Sequence, residues 1–204
     1  MIYTISAILL SVVVPIFIAE LTDKDALLLL SLATRFRAWM IFAAGSVAFT
    51  ISSAIIVTLG RLLIGYVPVS WVSLAGGTIM ICYAVWSFFH TTPDEEVSGV
   101  ERKLSANAAS GTVSVFLSAV GLLVLLDLAG DATEVLTILF VARFGDAFLV
   151  FIAAVMALTA ASAVETMIRN RLSGILSATR VRVFSAILFL VIGITAVLSA
   201  VLHF

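Results

Sequence analysis

Six apolar runs, at about 2–33, 38–60, 70–89, 112–142, 147–168 and 183–202, take up most of this chain. A spanning helix needs roughly 20 mostly apolar residues, so each run can supply one crossing of a bilayer. In hydrocarbon the backbone must satisfy its own hydrogen bonds, and runs of this length do so as helix. Hydrophobic residues are 63% of 204 and charged residues only 11%, far outside the range of soluble globular domains. The expected fold class is therefore all-α, a polytopic membrane protein with six transmembrane helices.

The same numbers exclude several functions. Net charge is −1 and no nucleic-acid-binding motif is present, so the expected surroundings are lipid bilayer and not nucleic acid. The first ten residues, MIYTISAILL, lack the basic region of a signal peptide and read as part of the first span. Cys82 is the one cysteine, which rules out a disulfide framework, a C-x-x-C pair or a thiolate metal site. His90 and His203 fall at opposite membrane faces and read as interfacial residues. No nucleophile with a neighbouring base supports an intramembrane enzyme.

The stretch TTPDEEVSGVERKLSANAASG, residues 91–111, holds four acids and two bases and reads as a linker. It divides the chain into a first three-helix repeat at 1–90 and a second at 112–204. With the N-terminus outside, the cytoplasmic connections hold Arg35, Arg37, Arg102, Lys103, Arg169, Arg171, Arg180 and Arg182, whereas the reverse orientation leaves only Arg61 and Arg143 inside. The positive-inside bias then places both termini outside and the linker in the cytoplasm. LTDKDALLLLSLATRF (21–36) aligns without a gap on AGDATEVLTILFVARF (129–144), pairing Asp23 with Asp131 and Arg35-Phe36 with Arg143-Phe144. Because three is odd, the second copy enters the membrane from the opposite side. Inverted repeats of this kind are typical of secondary transporters, whose sites lie near the midplane where the copies meet.

Six of the twelve acids fall in two clusters inside apolar sequence: Glu20, Asp23 and Asp25 in ELTDKD, and Asp127, Asp131 and Glu134 in DLAGDATE. A solvated turn is the plain alternative, but span lengths oppose it. Only 15 apolar residues precede Asp127, and the runs after each cluster, ALLLLSLA and VLTILFVA, have eight. None of these can cross alone, so the clusters interrupt helices within the membrane, where carboxylates are costly enough to mark a functional site. Helical spacing lets each set project from one face. Oxygen-only ligation suits calcium, magnesium and manganese. Crowded carboxylates repel one another, so protons compete with metal for the same groups.

At these residues the chain resembles the twin-motif divalent cation/proton exchanger family of Golgi, chloroplast and prokaryotic membranes, within the lysine-exporter superfamily. Its members carry E-x-G-D-[KR]-[ST] in the first span of each three-helix repeat. The first motif stands here as Glu20-Leu21-Thr22-Asp23-Lys24-Asp25, with threonine for the glycine and aspartate for the final hydroxyl residue. LATRFRAWMIFAAG and LGRLL downstream also match the family's wording. The second copy keeps Gly130, Asp131 and Thr133, but Leu128 stands where the family has glutamate, Ala132 where it has a basic residue and Glu134 where it has glutamine. Asp127 lies one residue before the missing glutamate, so the number of carboxylates survives with altered geometry.

The resemblance covers nearly the whole chain outside the linker and implies a transporter, not an enzyme, that exchanges manganese, or calcium, for protons and exports the cation from the cytoplasm. The implied metal-binding residues are Glu20, Asp23, Asp25, Asp127, Asp131, Thr133 and Glu134, with Glu20, Asp23 and Asp131 coupling protons. The cation is cargo and no cofactor is expected. The expected location is the plasma membrane of a prokaryote, and a homodimer is compatible with the sequence. Competing readings are export of an amino acid or cadmium, for which Lys24 is the one base within a cluster, and a non-transporting membrane scaffold. Pro15, five residues before Glu20, either lends the site a freed carbonyl or makes a packing kink. Gly45 and Gly76-Gly77 read as close helix packing, Trp39, Trp71 and Trp86 as interfacial anchors, and Glu165 as a surface ion pair with Arg169.

Overall fold

The computed structural model describes residues 5–21, 29, 32–33, 35–89, 111–128, 132–167 and 178–202. Asp23, Lys24, Asp25, Asp131, the linker up to residue 110 and both histidines lie outside the described residues. Among the described residues seven helices follow one another: α1 (Ile5–Glu20), α2 (Ala38–Tyr66), α3 (Val69–Phe89), α4 (Thr112–Asp127), α5 (Ala132–Phe144), α6 (Ala147–Met167) and α7 (Ala178–Leu202). There is no strand among the described residues.

The helices are apolar on both their inner and outer faces, as a lipid solvent requires. Leu10, Leu62, Leu117 and Leu198 are all more than half exposed. Hydroxyl residues on the outer faces bond back to their own helix: Thr50 Oγ1 donates to the Ser46 carbonyl at 2.7 Å, and Thr58 Oγ1 to that of Ala54 at 2.6 Å. Such i−4 bonds hide a polar atom from hydrocarbon. Trp39, Trp71 and Trp86 are about half exposed or more and stand near helix ends, where anchors belong. Tight connections fix the ends. Gly145 takes φ 71°, its N–H reaches the Val141 carbonyl at 3.0 Å, and Asp146 Oδ1 accepts from the Leu149 N–H at 3.0 Å to open α6.

Helix α2, residues 69–86 of α3, and α6 are each long and apolar enough to cross alone. Helices α4 and α5 qualify only together, as one span bent by 66°. Helix α1 has 16 residues, too few for a crossing. Beyond it Leu29, Leu32, Ala33 and Arg35 are helical.

Packing repeats the symmetry of the sequence. Helix α3 pairs chiefly with α7 and α2 with α6, each helix on its own counterpart, while α1 lies on α6 as α4 lies on α2. The buried faces agree residue by residue. Ile41, Ala44, Gly45, Ala48, Phe49, Ser52, Ser53, Ile56 and Val57 of α2 answer to Val150, Ala153, Ala154, Ala157, Leu158, Ala161, Ser162, Glu165 and Thr166 of α6, 109 residues on. The protein is an all-α membrane protein built as two inverted three-helix repeats. At the α3–α7 crossing Gly77 and Gly193 face each other, and a Cβ on either would stand 2.8 Å from the other's carbonyl oxygen. Gly76 likewise seats Leu139, and Gly45 seats Ser162 and Leu29, in keeping with close packing at small residues.

Candidate cation site

Helices α1 and α4 each end at a carboxylate. Glu20 is the last residue of α1 and Asp127 the last of α4, and they are 0% and 3% exposed. Each is followed by a leucine whose N–H closes the helix, Leu21 on the Phe17 carbonyl at 3.1 Å and Leu128 on the Val124 carbonyl at 3.0 Å. The buried faces carry the same register, Val12, Ile16 and Glu20 in α1 against Ala119, Leu123 and Asp127 in α4. Helix geometry thus pairs Glu20 with Asp127, whereas the gapless alignment of the motifs pairs it with Leu128. The two descriptions agree if the second copy carries one extra residue in its break. Glu20-Leu21-Thr22-Asp23 becomes Asp127-Leu128-Ala129-Gly130-Asp131.

The placement has an electrostatic consequence. A helix C-terminus presents carbonyl oxygens without intrahelical partners and carries about −0.5 of a charge. An ionised carboxylate buried there adds negative charge to negative potential, which a cation relieves. Glu134 differs: it lies in the first turn of α5, at the positive end of a helix dipole. Thr133 beside it is buried at 3%, and its carbonyl accepts from Thr137 Oγ1 at 2.8 Å. The α4–α5 break therefore sets a cation-attracting end against an anion-tolerant one.

Helix α5 packs on α1, α2 and α3, so the Glu134 helix and the Glu20 helix are in contact. Among the described residues no three acidic, histidine or cysteine side chains form a metal cluster. Glu20, Asp127, Thr133 and Glu134 are the described part of the predicted ligand set, and Asp23, Asp25 and Asp131 fall outside the described residues. The carbonyl that Pro15 frees is that of Ser11, nine residues before Glu20. That is about 13 Å along the helix, too far for the two to share an ion.

One reading of the sequence is overturned. Glu165 is not at the surface: it is 4% exposed, on the α6 face that also buries Ser162 at 0% and Thr166 at 1%. Its spacing to Arg169, which lies outside the described residues, suggested an exposed pair. The buried face of α2, repeated in α6 with Glu165 in the place of Ile56, was the signal that located it.

Comparison with known proteins adds the last observation. The family model described as Divalent cation/proton antiporter GDT1 matches residues 8–95 and 115–203. No curated protein and no solved structure matches the chain.

Proposed function

The chain belongs to the divalent cation/proton antiporter family GDT1, and from that premise we propose that it exports manganese, with calcium as second choice, from the cytoplasm in exchange for protons. The family is one of transporters and not of enzymes, and its substrates are a divalent cation and protons. The observation that carries the site is the pair of buried carboxylates, Glu20 and Asp127, ending the first helix of each repeat. Around them Asp23, Asp25, Asp131, Thr133 and Glu134 complete an oxygen-only ligand set, which suits a hard or borderline divalent ion.

Exchange follows from charge. With the cation bound, the carboxylates are ionised and the two helix C-termini face a positive charge. When it leaves, the same oxygens are crowded, buried and mutually repulsive, and proton uptake is the available relief. Glu20, Asp23 and Asp131 are the proton-coupling groups. Rocking of one repeat against the other exposes the site to each side in turn. The repeats occupy 1–90 and 112–204, the linker 91–111 is cytoplasmic, and both termini are outside a prokaryotic plasma membrane, as the arginine and lysine distribution favours.

The test is flux in proteoliposomes under an imposed pH gradient, with manganese, calcium, magnesium and cadmium compared. Manganese uptake with stoichiometric proton release is the expected result. Cadmium transport with manganese excluded would favour a softer site. Absence of flux for every divalent ion from folded protein would refute the proposal.

A further inference from the structure

Glu165 has no part in the twin motif, yet it is a carboxylate buried in a membrane core. Its position can be set from the symmetry of the fold. Gly45 of α2 lies against Ser162 of α6. Phe49 and Leu158, four residues along each helix, are equivalent in the two repeats and both buried. In an antiparallel pair of equivalent helices they mark the level of the pseudo-two-fold axis. Seven residues separate Leu158 from Glu165, about 10 Å at 1.5 Å per residue, against a half-thickness of about 15 Å for the hydrocarbon core. Glu165 therefore stands between the central level and the membrane face at which α6 ends.

The equivalent place in the other half is different. Ile56 and Val57 of α2 occupy the positions that Glu165 and Thr166 hold in α6, and only Ser53 and Ser162 match. In an inverted repeat these two places flank the two routes from the central site to the two faces. One route is flanked by Glu165 with the hydroxyls of Ser162 and Thr166, the other by the hydroxyls of Ser52 and Ser53 with two aliphatic side chains and no carboxylate. The hydroxyls are placed to help. Ser162 Oγ is fully buried with no hydrogen-bond partner among the described residues, an expensive state for a polar atom. Thr166 Oγ1 spends its proton on the Ser162 carbonyl at 2.7 Å and keeps its lone pairs.

We infer that Glu165, with Ser162 and Thr166, forms a second cation station on the route toward the face at which α6 ends, cytoplasmic in the proposed topology. It rests on the antiporter reading and adds to it an inequality between the two routes. The station draws the divalent cation in from that face and hands it to the central site, and the opposite route has no such station.

The test is manganese transport in membrane vesicles of both orientations, driven by an imposed pH gradient, with thermal unfolding of each purified variant as the check on folding. Glu165→Gln keeps the size and removes the charge. It should raise KM roughly 10-fold or more, within the 10–100-fold range for lost supporting groups at metal sites, when cation enters from the α6 end. KM from the other face and the maximal rate should be nearly unchanged. Ser162→Ala should give a smaller shift of the same sidedness, and Ile56→Glu should lower KM at the opposite face. If Glu165→Gln does not fold, Glu165→Asp, which retracts the charge by one methylene, should show the one-sided KM shift. KM unchanged from wild type on both faces in the folded Glu165 and Ser162 variants, with wild type transporting, would overturn the station and leave the antiporter reading standing. Wild-type vesicles that move no divalent cation would overturn that reading itself.

Discussion

The α3–α7 crossing offers a prediction with a size attached. Placing a methyl group on Gly77 puts its Cβ 2.8 Å from the Gly193 carbonyl oxygen, 2.9 Å from Val197 and 3.0 Å from Ala196. Ordinary van der Waals contact begins near 3.4 Å, so the helices must separate by about 0.6 Å, and the nearest atom is backbone, which no rotamer change can remove. Overpacking of this kind costs about 1–3 kcal/mol. At roughly 2–4 °C per kcal/mol for a chain of this size, Gly77→Ala should lower the unfolding midpoint in detergent by several degrees. Gly193→Ala meets the Gly77 carbonyl at 2.8 Å and should cost the same. Because one separation relieves both clashes, the double variant should lose little more than either single one, a coupling of about 1–3 kcal/mol. Gly65→Ala and Gly121→Ala, where nothing lies within 4 Å, serve as controls and should be neutral or stabilising by up to about 1 kcal/mol. Additive losses in the double variant, or no loss in the singles, would refute the facing-glycine geometry.

Three further predictions concern the break, the turn and the topology. Asp127→Asn should abolish manganese-driven proton movement in proteoliposomes while Asp127→Glu keeps it. Asp127→Ala combined with Leu128→Glu should stay inactive, because adjacent helical residues point about 100° apart. Gly145→Ala should lower the unfolding midpoint by the equivalent of about 1–2 kcal/mol despite open space around it, since φ is 71° there. Single cysteines at Ser98 or Ser105, in a Cys82→Ala background, should resist impermeant thiol reagents in intact cells, and rapid labelling would reverse the proposed orientation.

Much of the fold was legible because lipid leaves few options. Apolar runs of spanning length must be helices, and the acids of the second cluster could only divide a span, as α4 and α5 do. Gly45, Gly76 and Gly77 also read correctly as packing residues. Two features were hidden for definite reasons. A gapless alignment anchored on Asp23 and Asp131 has no means of placing an insertion, so it set Leu128 opposite Glu20. The buried faces of α1 and α4 are what put Asp127 there. Glu165 was obscured by a sequence pattern that exposed helices also show, an acid four residues before an arginine. Which way a helix faces in a membrane is decided by its neighbours, and α6 has polar residues on its inner face.

The differences between the repeats matter more than their likeness for an exchanger. Two identical inverted halves would make the inward-open and outward-open forms mirror each other, with equal energies and equal affinities at the two faces. Every departure from identity is then a bias between the two forms. Asp127 in place of Glu20 shortens one arm by a methylene, and the second copy has one more residue before its next aspartate, so each repeat still ends its first helix on a carboxylate. Glu165 and Thr166 in place of Ile56 and Val57 have no such compensation in the opposite half. A buried carboxylate on one side alone lowers the energy of a cation on that side only, and a ligand shifts a two-state equilibrium just by its differential affinity for the two states. The preferred face for loading the cation therefore rests with α6 and not with the twin motif, whose acids are shared by both states.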